Sequence, residues 1–183
     1  MNLTHHFLVS MPHQQEGCFH DSLVYILDHS DKGAFGVIVN RDMGMTLQEV
    51  FSQLSISTTD DKIGETTVLH GGPVEEGHGL VLHRPGHKFD ITRDFDGGVS
   101  VSSSKDILEA IALRTFTTDH LIILGHSGWA SGQLEMEVIE NAWLTTEASP
   151  DILFDTPQSD RRNRVCENIG VDLDKLVGHS GNA

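Results

Sequence analysis

One segment constrains this chain more than any other: Leu121-Ile122-Ile123-Leu124, followed by Gly125-His126-Ser127-Gly128-Trp129-Ala130-Ser131-Gly132-Gln133-Leu134-Glu135. Four consecutive apolar residues without polar alternation suit a strand buried on both faces. Such a strand needs covering structure above and below, so the chain must build helices as well as sheet. The glycines that follow let a backbone turn sharply. Leu134, Val138 and Ala142 then recur at helical spacing, and the early acid Glu135 suits the positive end of a helix dipole. The expectation is a strand, a glycine-rich loop and a helix in succession.

The N-terminal part reads as strands: Phe7-Leu8-Val9, Ser22 to Leu27 and Ala34 to Val39. The last two flank the turn signal Ser30-Asp31-Lys32-Gly33 and form an expected hairpin. Thr46 with Glu49 makes a capping-box pattern, and Leu47, Val50, Phe51 and Leu54 supply one apolar helix face. Thr66 to Leu69 and Gly79 to Leu82 are further strands on either side of Gly71-Gly72-Pro73. Ile91 to Phe95 and Val99 to Ser102 flank Asp96-Gly97-Gly98, a hairpin signal. Ser103 with Asp106 repeats the capping pattern before Ile107, Leu108, Ile111 and Ala112. Ser149-Pro150 starts another helix, and a last helix spans about Arg161 to Ile169, ended by Gly170. Strands and helices are interleaved without strict alternation. The fold class is therefore α+β, a single compact domain over 1–183 with a mixed or antiparallel sheet and packed helices.

Charge narrows the function. The chain of 183 residues carries a formal net charge of −15. Between Arg114 and Arg161 there is no Lys or Arg, but there are eight acids. Nucleic-acid binding draws on Lys and Arg that neutralise phosphates, so this balance argues against direct DNA or RNA contact. The one basic cluster, Arg161, Arg162 and Arg164, reads as a solvated helix face. Cys18 and Cys166 show no disulfide or zinc spacing. Neither a leader peptide nor an apolar run of about 20 residues is present, so the expected address is a reducing cytoplasm, with no membrane span.

Chemistry is sparse. Strand, glycine turn, Ser127 and helix have the layout of a nucleophile elbow, but Trp129 stands where Gly-x-Ser-x-Gly needs its second glycine. The histidine available downstream for a triad is His179. A phosphate loop lacks its lysine, and Glu135, Glu137 and Glu140 oppose an anion. His78, His83 and His87 are separated by Arg84-Pro85-Gly86 and share no helix face. They read as surface or hairpin histidines, with no metal ligands assigned.

In order along the chain stand Phe7-Leu8-Val9-Ser10-Met11-Pro12, Ser22-x-x-Tyr25 with His29, and Gly33-Ala34-Phe35-Gly36-Val37-Ile38-Val39-Asn40-Arg41. Gly71-Gly72-Pro73-Val74, the Gly125 to Glu135 segment and Asn141-Ala142-Trp143-Leu144 follow. Together these resemble the bacterial AlgH/YqgE family over nearly the whole chain. The resemblance implies a compact α+β fold, a cytosolic bacterial protein, no established enzymatic activity and no cofactor. The family's name derives from a proposed regulatory role in alginate biosynthesis genes. It has no recognised DNA-binding motif and no agreed catalytic set to carry over. His126 and Ser127 stand where many relatives have an aromatic and a small residue.

The expected function is a non-enzymatic regulatory or binding protein acting on a protein partner or small molecule. The alternative is a small-molecule binder or hydrolase that uses the Gly125–Gln133 loop. The residues expected to gather at such a site are Asn40, Arg41, Gly71, Gly72, Pro73, Ser127, Gly128, Trp129, Gly132, Gln133 and Glu135. Catalytic residues, metal and cofactor are assigned none.

Overall fold

Period-two burial builds the sheet. In the computed structural model, which describes residues 1–12 and 17–172, the strands β1 (His6–Ser10), β2 (Leu23–Ser30) and β3 (Gly33–Ile38) come first. Then follow β4 (Asp42–Thr46), α1 (Leu47–Gln53), α2 (Asp61–Gly64), β5 (Thr67–His70), β6 (Val74–His83), β7 (Thr92–Phe95), β8 (Val99–Ser102) and α3 (Lys105–Ala112). The chain continues through β9 (His120–Ala130), α4 (Gln133–Ile139), β10 (Trp143–Glu147), α5 (Pro150–Asp155), a 3-10 turn over Gln158–Asp160 and α6 (Arg161–Asn168). His179 lies outside the described residues.

The strands form one curled sheet in the order β10-β1-β2-β3-β9-β6-β8-β7, and β4 joins through β5. Only β5 runs parallel to its neighbour β9 among the described pairs. Phe7, Val9, Leu23, Tyr25, Leu27, Val37 and Val39 face inward from one half of the curl. Leu69, Leu80, Leu82, Val99, Val101 and Ile123 meet them from the other half, and α5 and α6 close the end. The alternate residues Leu8, Val24, Ile26 and Ile38 point outward and are covered by Leu134 of α4 with Trp129 and Trp143. Val68, Val81 and Ile122 point outward on the other half, beneath α1 and α3. This is the expected α+β fold with a mixed sheet, and each central strand is buried on both faces.

Local chemistry sets several boundaries. The Thr46 N–H donates to the Glu49 carboxylate at 2.7 Å, closing the capping box of α1. Ser104, not Ser103, is the N-cap of α3 by its extended backbone, and its hydroxyl donates to Asp106 without capping a helix N–H. Helix α4 ends at Ile139, short of Ala142, where Asn141 turns to positive φ. Strands β4 and β10 and helix α2 carry no strong pattern of their own and were not expected. Gly44 interrupts β4, whose Met43 and Met45 nonetheless pack inward.

The main correction concerns the segment after Leu124. It is not a loop. Strand β9 runs through Gly125, His126, Ser127, Gly128 and Trp129 to Ala130, because its second half finds a new partner. Residues 120–124 pair with β6, and Ser127 to Ala130 pair with β3. Gly125 adopts φ 74° at the changeover, and the chain turns into α4 only at Gly132, also at φ 74°. The changeover is a close backbone crossing. The Gly71 N–H donates to Leu124 O at 2.8 Å, and the Ile38 N–H donates to Gly71 O at 2.8 Å.

A Cβ on Gly71 would sit 2.2 Å from the Gly125 carbonyl oxygen, whereas one on Gly128 would meet nothing within 4 Å. Gly71→Ala should therefore cost about 3 kcal/mol or more, and Gly128→Ala should stay within about 1 kcal/mol. Urea denaturation of both variants checks this. Equal losses would show that the crossing is not tight.

Candidate functional site

The crossing places Ser127 against the Gly71-Gly72 backbone. Ser127 is fully buried and its hydroxyl donates to Gly71 O at 3.0 Å. A Cβ on Gly72 would lie 2.2 Å from that hydroxyl. To act as a nucleophile, Ser127 would have to leave this bond and the sheet would have to open beside it. The hydroxyl is better described as the third bond of the crossing. Pro73 is exposed at its rim.

The glycine–tryptophan segment forms a second cluster on the outer face of β9. The Trp129 and Trp143 indole N–H groups both donate to Glu137 Oε2, at 2.8 and 2.7 Å. Gln133 accepts from the Ala130 N–H at 3.0 Å and donates to Glu137 Oε1 at 2.8 Å. Phe19 stacks on Trp129, with ring centroids 5.8 Å apart, and meets Trp143 edge-on. Glu135 accepts from His29 Nε2 at 3.0 Å. The other ring nitrogen, Nδ1, accepts from the Leu3 N–H at 2.9 Å, which fixes the neutral tautomer. The backbone N–H of Glu135 itself, and then His29, hold the Glu135 carboxyl below its usual range against some desolvation.

Asn40 and Arg41 lie elsewhere, beyond β3. Asn40 accepts from the Leu23 N–H at 2.7 Å and donates to Asp21 O at 2.9 Å. Arg41 donates to the carbonyls of Cys18 and His20. The structure thus brings Gly71, Gly72 and Ser127 together, and separately Trp129, Gln133 and Glu135 around the start of α4. These side chains spend their polar groups on internal bonds, except Glu135 Oε2, which is buried without a partner among the described residues.

Two sequence readings are corrected. His83 is not a surface histidine: it is fully buried. Its Nδ1–H donates to Arg84 O at 2.9 Å, Nε2 accepts from the Ser102 hydroxyl at 2.9 Å, and Ser102 bonds Thr92 at 2.8 Å. Phe116 packs against His83, His87 and His120. No group of three or more His, Cys, Asp or Glu side chains among the described residues is arranged to hold a metal ion. Nor do the arginines make one solvated face. Arg161 is buried, Arg162 bonds Ser10 O at 3.1 Å and Asp21 at 3.4 Å, and Arg164 pairs with Glu167 at 3.5 Å.

A cleft that no motif announced lies between α1 and α3. It encloses about 260 Å³. Leu80, Val81, Ile122 and Leu124 form its floor, with Val50 and Leu54 from one helix and Leu108 from the other. Gln53, Ser103, Ser104 and Lys105 line its polar parts, and Lys105 is its one charged lining residue among those described. Its residues come from five separated elements, α1, β6, β8, α3 and β9, so no spacing in the sequence could signal it. The nearest hint was Gly77-His78-Gly79, where β6 shifts register and the missing side chains leave room.

A family model described as AlgH-like matches residues 7–174. A UPF0301 protein of Thioalkalivibrio sulfidiphilus is 41% identical over 182 residues, covering 100% of this chain and 97% of the relative. A UPF0301 protein of Vibrio parahaemolyticus is 36% identical over 187 residues, with 100% of both chains covered. Among solved structures, the solution structure of the AlgH protein from Pseudomonas aeruginosa matches with a TM-score of 0.82 at 38% identity, covering 100% of this chain and 97% of that one. A Corynebacterium diphtheriae protein, at 18% identity and TM-score 0.71, shares the fold.

Glu137 offers two oxygens to three donors, and an amide has one. Glu137→Gln should leave at least one donor unsatisfied and cost about 1–3 kcal/mol. It should also shift tryptophan emission, since Trp129 and Trp143 are the chain's two tryptophans. Unchanged emission and stability would refute the shared acceptor. Burial pushes His5, His83, His120 and His126 below the ordinary 6.5. The unfolded chain therefore binds more protons below that pH, so stability is full above 6.5 and falls as pH drops through it. Thermal midpoints at pH 7.5, 6.5 and 5.5 should decline in that order, and a flat or rising series would contradict this assignment.

Proposed function

The chain belongs to the AlgH-like family, and from that premise we propose that it is a non-enzymatic binding protein of the bacterial cytoplasm, with its ligand seat in the cleft between α1 and α3. The observation that carries this reading is the cleft itself, an apolar hollow with a few polar groups at its edge. That is the composition of small-molecule sites. By contrast, the groups first suspected of chemistry are bonded internally: Ser127 to Gly71, and Gln133 and both tryptophans to Glu137. A volume of about 260 Å³ exceeds the roughly 150 Å³ that accommodates benzene in an engineered core. One substituted ring or a short acyl chain fits. The regulatory part of the reading follows from position, because a ligand there touches α1 and α3 together and stabilises the arrangement it binds.

A net charge of −15 and three arginines engaged in separate local bonds support a partner other than nucleic acid. No helix of the described residues is long and apolar enough to cross a membrane. Cys18 and Cys166 are free, in keeping with a reducing compartment.

Titration with hexanoate and with phenol, followed by methyl NMR, tests the seat. Saturable shifts should concentrate on Leu80, Leu108, Ile122 and Leu124. A Cβ on Gly79 makes ordinary contact with Leu124 at 3.7 Å, so Gly79→Leu should fill the cleft and weaken both probes by about tenfold or more. Shifts scattered over the surface, or equal binding by a folded Gly79→Leu variant, would sink the proposal.

A further inference from the structure

One guanidinium lies deep in this protein with no carboxylate beside it among the described residues. Arg161 is 5% exposed. Its Nε donates to Thr156 O at 3.1 Å and its Nη1 to Val39 O at 2.5 Å. Both acceptors are neutral carbonyls. A buried charge normally sits with a counter-charge, because desolvation costs several kcal/mol per ion otherwise. The contrast within this chain is direct: Arg84, far more exposed, holds Asp119, Asp151 and Asp155 at once. Burial alone pulls the Arg161 guanidinium down to about 10.

The third nitrogen, Nη2, has no acceptor among the described residues. Arg161 lines a cleft of about 380 Å³ with Thr66, Thr67, His120, Gln158 and Ser159. This cleft is separate from the one between α1 and α3. The Thr66 and Thr67 hydroxyls are free of protein partners among the described residues, and hydroxyls donate readily to oxyanions. His120 Nδ1 faces Thr118 O at 2.7 Å, so it carries the proton and Nε2 is left as an acceptor. Burial keeps that ring neutral.

We propose that Arg161, Thr66, Thr67 and His120 form a seat for a small, partly protonated tetrahedral oxyanion of the phosphate class. The bare oxygens accept from Nη2 and the threonine hydroxyls, and the remaining O–H donates to His120 Nε2. The anion supplies the counter-charge that the fold withholds from Arg161. A fully deprotonated anion would leave the His120 lone pair facing an oxygen.

The experiment follows the Arg161 Nε–Hε NMR signal at pH 7 and constant ionic strength. Inorganic phosphate should move it saturably, while sulfate, which carries no proton at this pH, should bind at least about tenfold more weakly. Methyl phosphate compared with inorganic phosphate at pH 6, where about half of it keeps its O–H, separates the sources. Tighter binding than inorganic phosphate points to a phosphomonoester, and weaker binding points to the free ion. Thr67→Glu sets a like charge at the cleft without touching the carbonyl bonds of Arg161, and should weaken phosphate by about tenfold or more with the thermal midpoint retained. Arg161→Lys, if it folds, should abolish the saturable phosphate shifts of the Thr66 and Thr67 amide signals. The proposal is overturned if phosphate does no more than chloride at matched ionic strength, or if folded Thr67→Glu binds it as the parent does. Equal binding of sulfate would overturn the role of His120.

Discussion

The carbonyl of Gly71 accepts two hydrogen bonds, from the Ile38 N–H and the Ser127 hydroxyl, while the Gly71 N–H donates to Leu124. These three bonds tie β3, β9 and the β5–β6 connection at one point. The sheet needs that tie because β9 serves two halves. Its first half lies between β5 and β6, and its second half pairs with β3. A side chain on Gly71 would enter the Gly125 carbonyl, and one on Gly72 would enter His126 and Ser127. Glycine is therefore a packing requirement here as much as a conformational one. With the crossing in place, Ile123 faces the interior, Ile122 faces α1 and α3, and Trp129 faces α4.

Much of this was legible in the residues. Ser22 to Leu27 and Ala34 to Val39 alternate between two apolar environments, and Leu121 to Leu124 form an unbroken apolar run. Those patterns anticipate a mixed sheet covered on both faces. The capping box at Thr46 and the Asp96-Gly97-Gly98 hairpin rest on short-range chemistry, which a linear sequence carries intact. The extension of β9 does not. Glycine lowers strand propensity, so Gly125, Gly128 and Gly132 look alike in sequence. In the fold Gly125 marks a change of pairing partner, Gly128 is an ordinary strand position, and Gly132 makes the turn. Only the position of β3, over ninety residues earlier, distinguishes them.

The same limit explains the site. The resemblance directed attention to the glycine–tryptophan segment because its residues are distinctive, and they are distinctive because the packing around them is demanding. Trp129 and Trp143 converge on one carboxylate oxygen, and Ser127 on one carbonyl. A cleft has the opposite character. It is a space left by Val50, Leu80, Leu108 and Ile122, ordinary apolar residues of four elements, and nothing in their spacing differs from that of a closed core.

Charge placement completes the contrast between surface and interior. The acids sit largely outside and collect the exposed cations: Arg84 with three aspartates, Lys88 with Asp94, Arg114 with Asp60. Inside, the fold prefers neutral donors and acceptors, as in the chain from Arg84 O through His83 and Ser102 to Thr92. His29 keeps this rule through its tautomer, with Nδ1 accepting from Leu3. Arg161 departs from it, since a guanidinium stays charged near neutral pH even when burial lowers it to about 10. Two carbonyls offset part of its lost hydration, and the side chain lines a cleft. In a chain of net charge −15, a buried cation with no acid beside it among the described residues is where the proposed anion from solution would gain most.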